Sequence, residues 1–219
     1  MWKNPQALVG EPAEWLGDWH PLVEQLGSTD GLVSLAEVTA SMRVPFVRDF
    51  STLRNFLQEY HKHILIPHEM PAIQRAFHHA SRNELRELAE FDQQIASEPI
   101  FKPFAEASRR VGQTELMKLR PLRDERIVRR YLDLVDKREV NAWHTLVYGL
   151  TLALYSMPLR QGLLGYGFQT SRGFIYAAAR PLGLAERDCR ALLEEQCAGL
   201  PGPVEELIAR HEVPFAPAP

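Results

Sequence analysis

Residues 143–155 read WHTLVYGLTLALY, and apolar side chains lie nearly all the way round a helix drawn through them. In a water-soluble chain such a helix is stable only when other helices surround it. The stretch therefore predicts a bundle with a helix at its centre, and the rest of the chain supplies the wrapping. Residues 159–180 follow the punctuation at Met157-Pro158. There Gly162, Gly165, Gly167 and Gly173 are interspersed among Leu163, Leu164, Tyr166, Phe168, Phe174 and Tyr176. Each glycine costs a helix about 1 kcal/mol relative to alanine. Four in one apolar helix make sense where neighbouring backbones approach closely, within the subunit or at an interface. Gly165→Leu is expected to disrupt such a contact.

Outward from this core, apolar residues recur at spacings of three and four. Trp15, Trp19, Leu22, Val23 and Leu26 form one stripe over 12–26, and Asp30 can cap a short helix carrying Leu32, Leu35, Val38 and Met42. Asp49 or Ser51 starts another helix, with Leu53, Phe56, Leu57, Tyr60 and Ile64 inward. Pro67 marks its end and Pro71 the first turn of the next, unless the two prolines kink one long rod. Ser81 and Glu84 have the spacing of a capping box ahead of Leu85, Leu88, Phe91 and Ile95. Pro99 and Pro103 reset the chain before Phe104, Ala107, Val111, Leu116 and Leu119, and Pro121 ends that run. Ile127, Tyr131, Leu134 and Val135 give a further amphipathic face, and residues 185–198 and 203–211 close the fold. The expectation is an all-α, single-domain bundle of about ten helices over 1–213, with a proline-rich tail at 214–219.

Composition excludes several function classes. The 219 residues are 45% apolar and 24% charged, as globular domains are, and the formal charge of −3 suggests neither a nucleic-acid surface nor a polybasic membrane anchor. No apolar stretch approaches the ~20 residues that span a bilayer. Met1 to Gly10 lacks a basic start followed by an apolar run, so no secretory signal is expected and the cytoplasm is the simple location. Cys189 and Cys197 fall about two turns, some 12 Å, apart on one helix, too far for a disulfide.

Histidines gather at His61, His63, His68, His78 and His79, near Glu69. Imidazole and carboxylate suit zinc or nickel, but positions two apart diverge by about 200° round a helix, so His61 and His63 do not face one ion. Solvated or partly packed histidines are expected, with no resident metal or cofactor. His144, opening the apolar helix, is expected to be buried and hydrogen-bonded. Ser171 lies in Gln-Thr-Ser-Arg-Gly, which is not the strand-to-helix nucleophile turn. The two cysteines have glutamates near them and no activating base, so no catalytic residue is expected. The arginine-rich stretch from Arg109 through Lys118 and Arg120 to Arg130 reads as a solvated face or as a docking surface for an acidic partner.

Several stretches then occur in a telling order. Leu53-Arg54-Asn55-Phe56-Leu57-Gln58-Glu59-Tyr60 has the form LRxFLxxY, and Glu69-Met70-Pro71-Ala72 parallels LPAL. Glu87-Leu88-Ala89-Glu90-Phe91-Asp92 is similar to LxxLDxxL. Ala107-Ser108-Arg109-Arg110-Val111-Gly112 is close to ASRxMG, the most distinctive piece, and 144–149 parallels HPVVFG. Residues 157–166 follow LPLxEALxAY, and Ala178-Ala179-Arg180 follows AAxRL. In this register residues 53–207 resemble the UreF family of urease accessory proteins. The resemblance implies an all-helical, non-enzymatic adaptor, commonly a dimer, with no nucleic-acid or membrane partner. Such a protein bridges a scaffold (UreD, or UreH in some lineages) and the nickel-carrying GTPase UreG, delivering nickel to apo-urease, and its C-terminal tail becomes ordered against the scaffold. Family members carry PxGxFxxSxGLE near the N-terminus, which helps to engage the GTPase. Here residues 27–37 read GSTDGLVSLAE, where Ser34 and Glu37 stand in at a spacing one short; the family's PLGQ reads Pro181-Leu182-Gly183-Leu184. The candidate partner-interface residues are Ser34, Glu37, Ser108, Arg109, Gly112, Gly165 and Tyr166. A helical-bundle enzyme of haem-oxygenase type, with His20 or His61 as ligand, is the alternative from another class.

Overall fold

The computed structural model describes residues 42–122 and 126–212. The expected helix at 12–26, the one begun at Asp30 as far as residue 41, and the 214–219 tail lie outside the described residues. Those described form an all-helical bundle with no strand among them. In chain order the elements are α1 (Phe50–Tyr60), a π-helical segment (His61–Glu69), α2 (Met70–Ser81), α3 (Leu85–Ser97) and a 3-10 turn (Pro99–Phe104). Then come α4 (Ala105–Lys118), a second 3-10 turn (Arg120–Leu122), α5 (Arg126–Asp136), α6 (His144–Leu154), α7 (Leu159–Leu182), α8 (Glu186–Ala198) and α9 (Pro201–Glu212).

The centre is α6, as its all-round apolarity implies. It packs most extensively on α2 and next on α4, and it buries His144, Thr145, Leu146, Val147, Gly149, Leu150, Thr151 and Leu152. Glycine permits the closest crossing: a Cβ on Gly149 would lie 2.5 Å from the Ile73 carbonyl oxygen on α2. The long α7 lies alongside, bringing Phe174 edge-on to Phe56 at 5.2 Å and to Tyr60 at 5.0 Å. It ends where Gly183 takes a left-handed φ of 63° and Leu184 N–H donates back to the Ala179 carbonyl, the glycine-favoured stop of a helix.

Three expectations change. Among the described residues the count of about ten helices is not matched, and of the two readings left open at Pro67 and Pro71 the structure takes the single rod, unbroken from Phe50 to Ser81. Pro67 has no N–H and its ring crowds the preceding turn; the chain answers by widening to π register, with Met70 N–H reaching the Leu65 carbonyl. The expected capping box at Ser81 and Glu84 does not form. Ser81 stays in α2, donating to the Phe77 carbonyl at 2.8 Å, while the Glu84 carboxylate takes the His79 ring at 2.8 Å. The box forms instead at α1, where Asp49 accepts from Thr52 N–H at 2.8 Å and Thr52 Oγ1 accepts from Asp49 N–H at 3.0 Å. Finally, Gly165 is not a point of close approach among the described residues, where a Cβ would meet nothing nearer than Tyr148 Oη at 3.9 Å. Elsewhere on α7, Gly162 is tight against Leu152 and Gly167 against Leu200 and Met70.

Candidate functional site

The π segment has a consequence for polarity. It turns both Tyr60, at its start, and Glu69, at its end, into the core. Glu69 is wholly buried, a position a carboxylate tolerates only when hydrogen-bonded. Tyr60 O–H donates to Glu69 Oε2 at 2.5 Å, and Tyr166 O–H from α7 donates to the same oxygen at 3.1 Å. The Tyr166 oxygen lies 2.7 Å from His144 Nε2, and His144 Nδ1 lies 2.7 Å from Ser108 Oγ on α4. One direction of donation satisfies the chain: Ser108 O–H to Nδ1, Nε2–H to the Tyr166 oxygen, and Tyr166 O–H to Glu69. The network ties the α1–α2 rod, α4, α6 and α7 together. Burial, and after it the Glu69 charge, pushes the Tyr60 and Tyr166 hydroxyls well above the usual phenol range.

Serine, histidine and a carboxylate in sequence resemble an acyl-transfer relay. The geometry does not support that chemistry: Ser108 is 1% exposed, so no substrate carbonyl can reach its oxygen. The network holds helices.

A second buried carboxylate fixes the approach to α6. Asp92 accepts from Tyr131 O–H at 3.0 Å, Asn141 N–H at 2.6 Å, Asn141 Nδ2–H at 3.0 Å and Ala142 N–H at 2.8 Å. Its own carbonyl accepts from Trp143 Nε1–H at 3.0 Å. Against this fixed connection α4 closes tightly. Ser108 and Gly112, one turn apart, share a face of α4; the first bonds His144 and the second leaves the space that backbone fills. A Cβ on Gly112 would lie 1.9 Å from the Ala142 carbonyl oxygen and 2.7 Å from His144 N. The spacing within Ala107-Ser108-Arg109-Arg110-Val111-Gly112 thus encodes a helix seat.

Of the candidate partner-interface residues, Ser34 and Glu37 lie outside the described residues. Ser108, Gly112 and Tyr166 are buried within the chain. Gly165 is half-buried and Arg109 exposed. The sequence placed Tyr60 inward and set Glu69 beside the histidines, but it gave Tyr60, Glu69 and Asp92 no part in a buried hydrogen-bond network. Asp92 carried a signal, falling on the apolar stripe between Leu88 and Ile95 where an acid has no business unless partnered. Glu69 carried none, because its inward aim depends on the π register.

The histidines do not converge, and no group of three metal-binding side chains occurs among the described residues. His63 pairs with Glu59 at 3.0 Å and His79 with Glu84. His61 is nearly buried and bonds Ser171 Oγ on α7 at 2.8 Å, which occupies that nitrogen of the imidazole considered as a haem ligand. Burial drives its pKa down from 6.5 to about 4, with the Glu69 charge opposing. His20 lies outside the described residues. Both cysteines are free thiols on α8. Burial raises both, Cys197 to about 12, so neither is a poised nucleophile. No helix among the described residues is long and apolar enough to cross a membrane.

Compared with known proteins, the chain matches the family model described as UreF over residues 47–196. That span takes in both buried carboxylates and the seat of α4 at Gly112. No curated protein matches the chain.

Proposed function

Because this chain belongs to the UreF family of urease accessory proteins and is not an enzyme, we propose that it is the adaptor joining a UreD/UreH-type scaffold to a UreG-type GTPase while nickel enters apo-urease. Residues 1–213 act as one domain in the cytoplasm, paired as a homodimer, and the 214–219 tail orders against the scaffold. Nickel is cargo of the assembly, and the chain itself keeps no cofactor. The family match over 47–196 carries this reading.

The residues agree with it. Reactive side chains are committed to one another in the interior, Ser108 with His144 and Glu69 with Tyr60 and Tyr166, which leaves surface contacts as the means of action. Arg109 is the candidate interface residue that faces solvent; Ser34 and Glu37 are assigned to the GTPase contact. The test is co-purification of the full chain with scaffold and GTPase from the same source, followed by urease activation in cells with and without it. Association and chain-dependent activation are expected. Failure to associate, with both partners demonstrably folded, sinks the adaptor reading.

A further inference from the structure

A groove of about 610 Å³ runs between α4 and the turn that follows α5. Arginines line it from both sides, Arg109 and Arg110 from α4 and Arg138 from the turn, against the single carboxylate of Glu106. Met117 and Val135 give it an apolar floor, and Met117 is 43% exposed. Arg109 and Arg138 make no ion pair among the described residues, whereas arginines on other faces do: Arg86 with Glu90 at 2.9 Å, Arg190 with Glu186 at 3.4 Å. Arg138 holds a left-handed φ of 61°, a conformation that favours glycine. The turn thus carries a guanidinium where backbone geometry alone would select no side chain.

We propose that this groove binds an acidic peptide segment of a partner protein, its carboxylates bridged between Arg109 and Arg138 and an apolar side chain laid on Met117 and Val135. Guanidinium forks recognise carboxylates through paired, charge-assisted hydrogen bonds. The apolar floor between the charges selects a peptide over a nucleic acid, whose phosphates offer nothing to methionine and valine, and the chain's net charge of −3 points the same way. The inference stands apart from the urease-assembly reading, because it concerns what the isolated chain recognises.

The test is fluorescence anisotropy on the full-length chain with a labelled peptide of alternating glutamate and leucine, its glutamine counterpart, and a single-stranded oligonucleotide. Saturable, salt-weakened binding of the glutamate peptide alone is expected. Arg109→Glu combined with Arg138→Glu should weaken it by roughly tenfold or more. Arg138→Gly, which keeps the left-handed turn without its charge, should weaken it less but measurably. Arg86→Glu with Arg190→Glu, the same change in net charge on other faces, should leave it within about twofold. No saturable binding, equal binding of the glutamine peptide or the oligonucleotide, or equal loss in the control pair overturns the proposal. Co-purification with scaffold and GTPase is scored separately, so either reading can fail without the other.

Discussion

Replacing Gly112 with alanine adds one methyl group and sets two effects of opposite sign against each other. Helix propensity favours alanine by about 1 kcal/mol. Against it, the new Cβ would lie 1.9 Å from the Ala142 carbonyl oxygen, 2.7 Å from His144 N and 2.8 Å from the Trp143 carbonyl carbon. All three atoms are backbone, so no rotamer change relieves the clash. Restoring ordinary contact requires α4 and the 142–144 connection to part by about 1.5 Å. The connection is anchored by the 2.6 and 2.8 Å bonds to Asp92 and by the 2.7 Å bond between His144 and Ser108, and none survives that displacement unchanged. Overpacking of a tight core costs about 1–3 kcal/mol and each weakened buried hydrogen bond about 1 kcal/mol. With three bonds weakened, the sum less the propensity gain is a loss of about 3–5 kcal/mol. Guanidinium unfolding followed by circular dichroism should show a lower midpoint at unchanged slope, and the melting temperature should fall by about 9–15 °C. Gly165→Ala is the counter-measurement: with nothing nearer than 3.9 Å, propensity alone acts and stability rises by up to about 1 kcal/mol. A Gly112→Ala protein as stable as the parent, or more so, would show that α4 is not seated on 142–144 and would refute the reading of the ASRxMG-like spacing.

Other outcomes follow from the buried polar groups. The His61 imidazole binds a proton near pH 6.5 when unfolded but only near 4 when folded. Within that window the unfolded state therefore holds more protons; stability is complete above 6.5 and declines as pH falls towards 4, by about 3 kcal/mol. Unfolding midpoints across the window should flatten in His61→Gln, and an identical pH dependence in both proteins would exclude His61 as the cause. Tyr60, Tyr131 and Tyr166 shift the other way, raised above their ordinary value of 10.0 chiefly by burial. Their contribution is full below pH 10 and is lost as pH rises beyond it, so spectroscopic phenolate titration should coincide with unfolding; early, reversible ionisation of these rings in the folded chain would contradict their burial. Asp92→Ala strips acceptors from Tyr131 O–H and from the Asn141 and Ala142 amides. At about 1–3 kcal/mol for each of the three orphaned donors, the loss should reach roughly 3–9 kcal/mol in a denaturant titration. A loss under 1 kcal/mol would mean that water replaces the carboxylate.

What the one-dimensional pattern settled was local. An apolar surface all round 143–155 is a property of thirteen neighbouring residues, and it required a central helix before any partner was known. Periods of three and four placed Leu53, Phe56, Leu57 and Tyr60 inward and also indicated the bundle, and the order of short motifs identified the family that the match over 47–196 then showed. Distances between residues far apart in the chain were another matter. Gly112 and Gly165 look equally suited to close packing in the sequence; only the position of Ala142 against one of them separates the two. Likewise Glu69 follows a proline that looks like a helix end, and its burial beside Tyr60, Tyr166 and His144 exists because the rod widens around Pro67 instead of breaking. Helical periodicity is set by bonds four residues apart, whereas which carboxylate is buried and which glycine is indispensable depends on where a second helix crosses. That crossing is a tertiary fact.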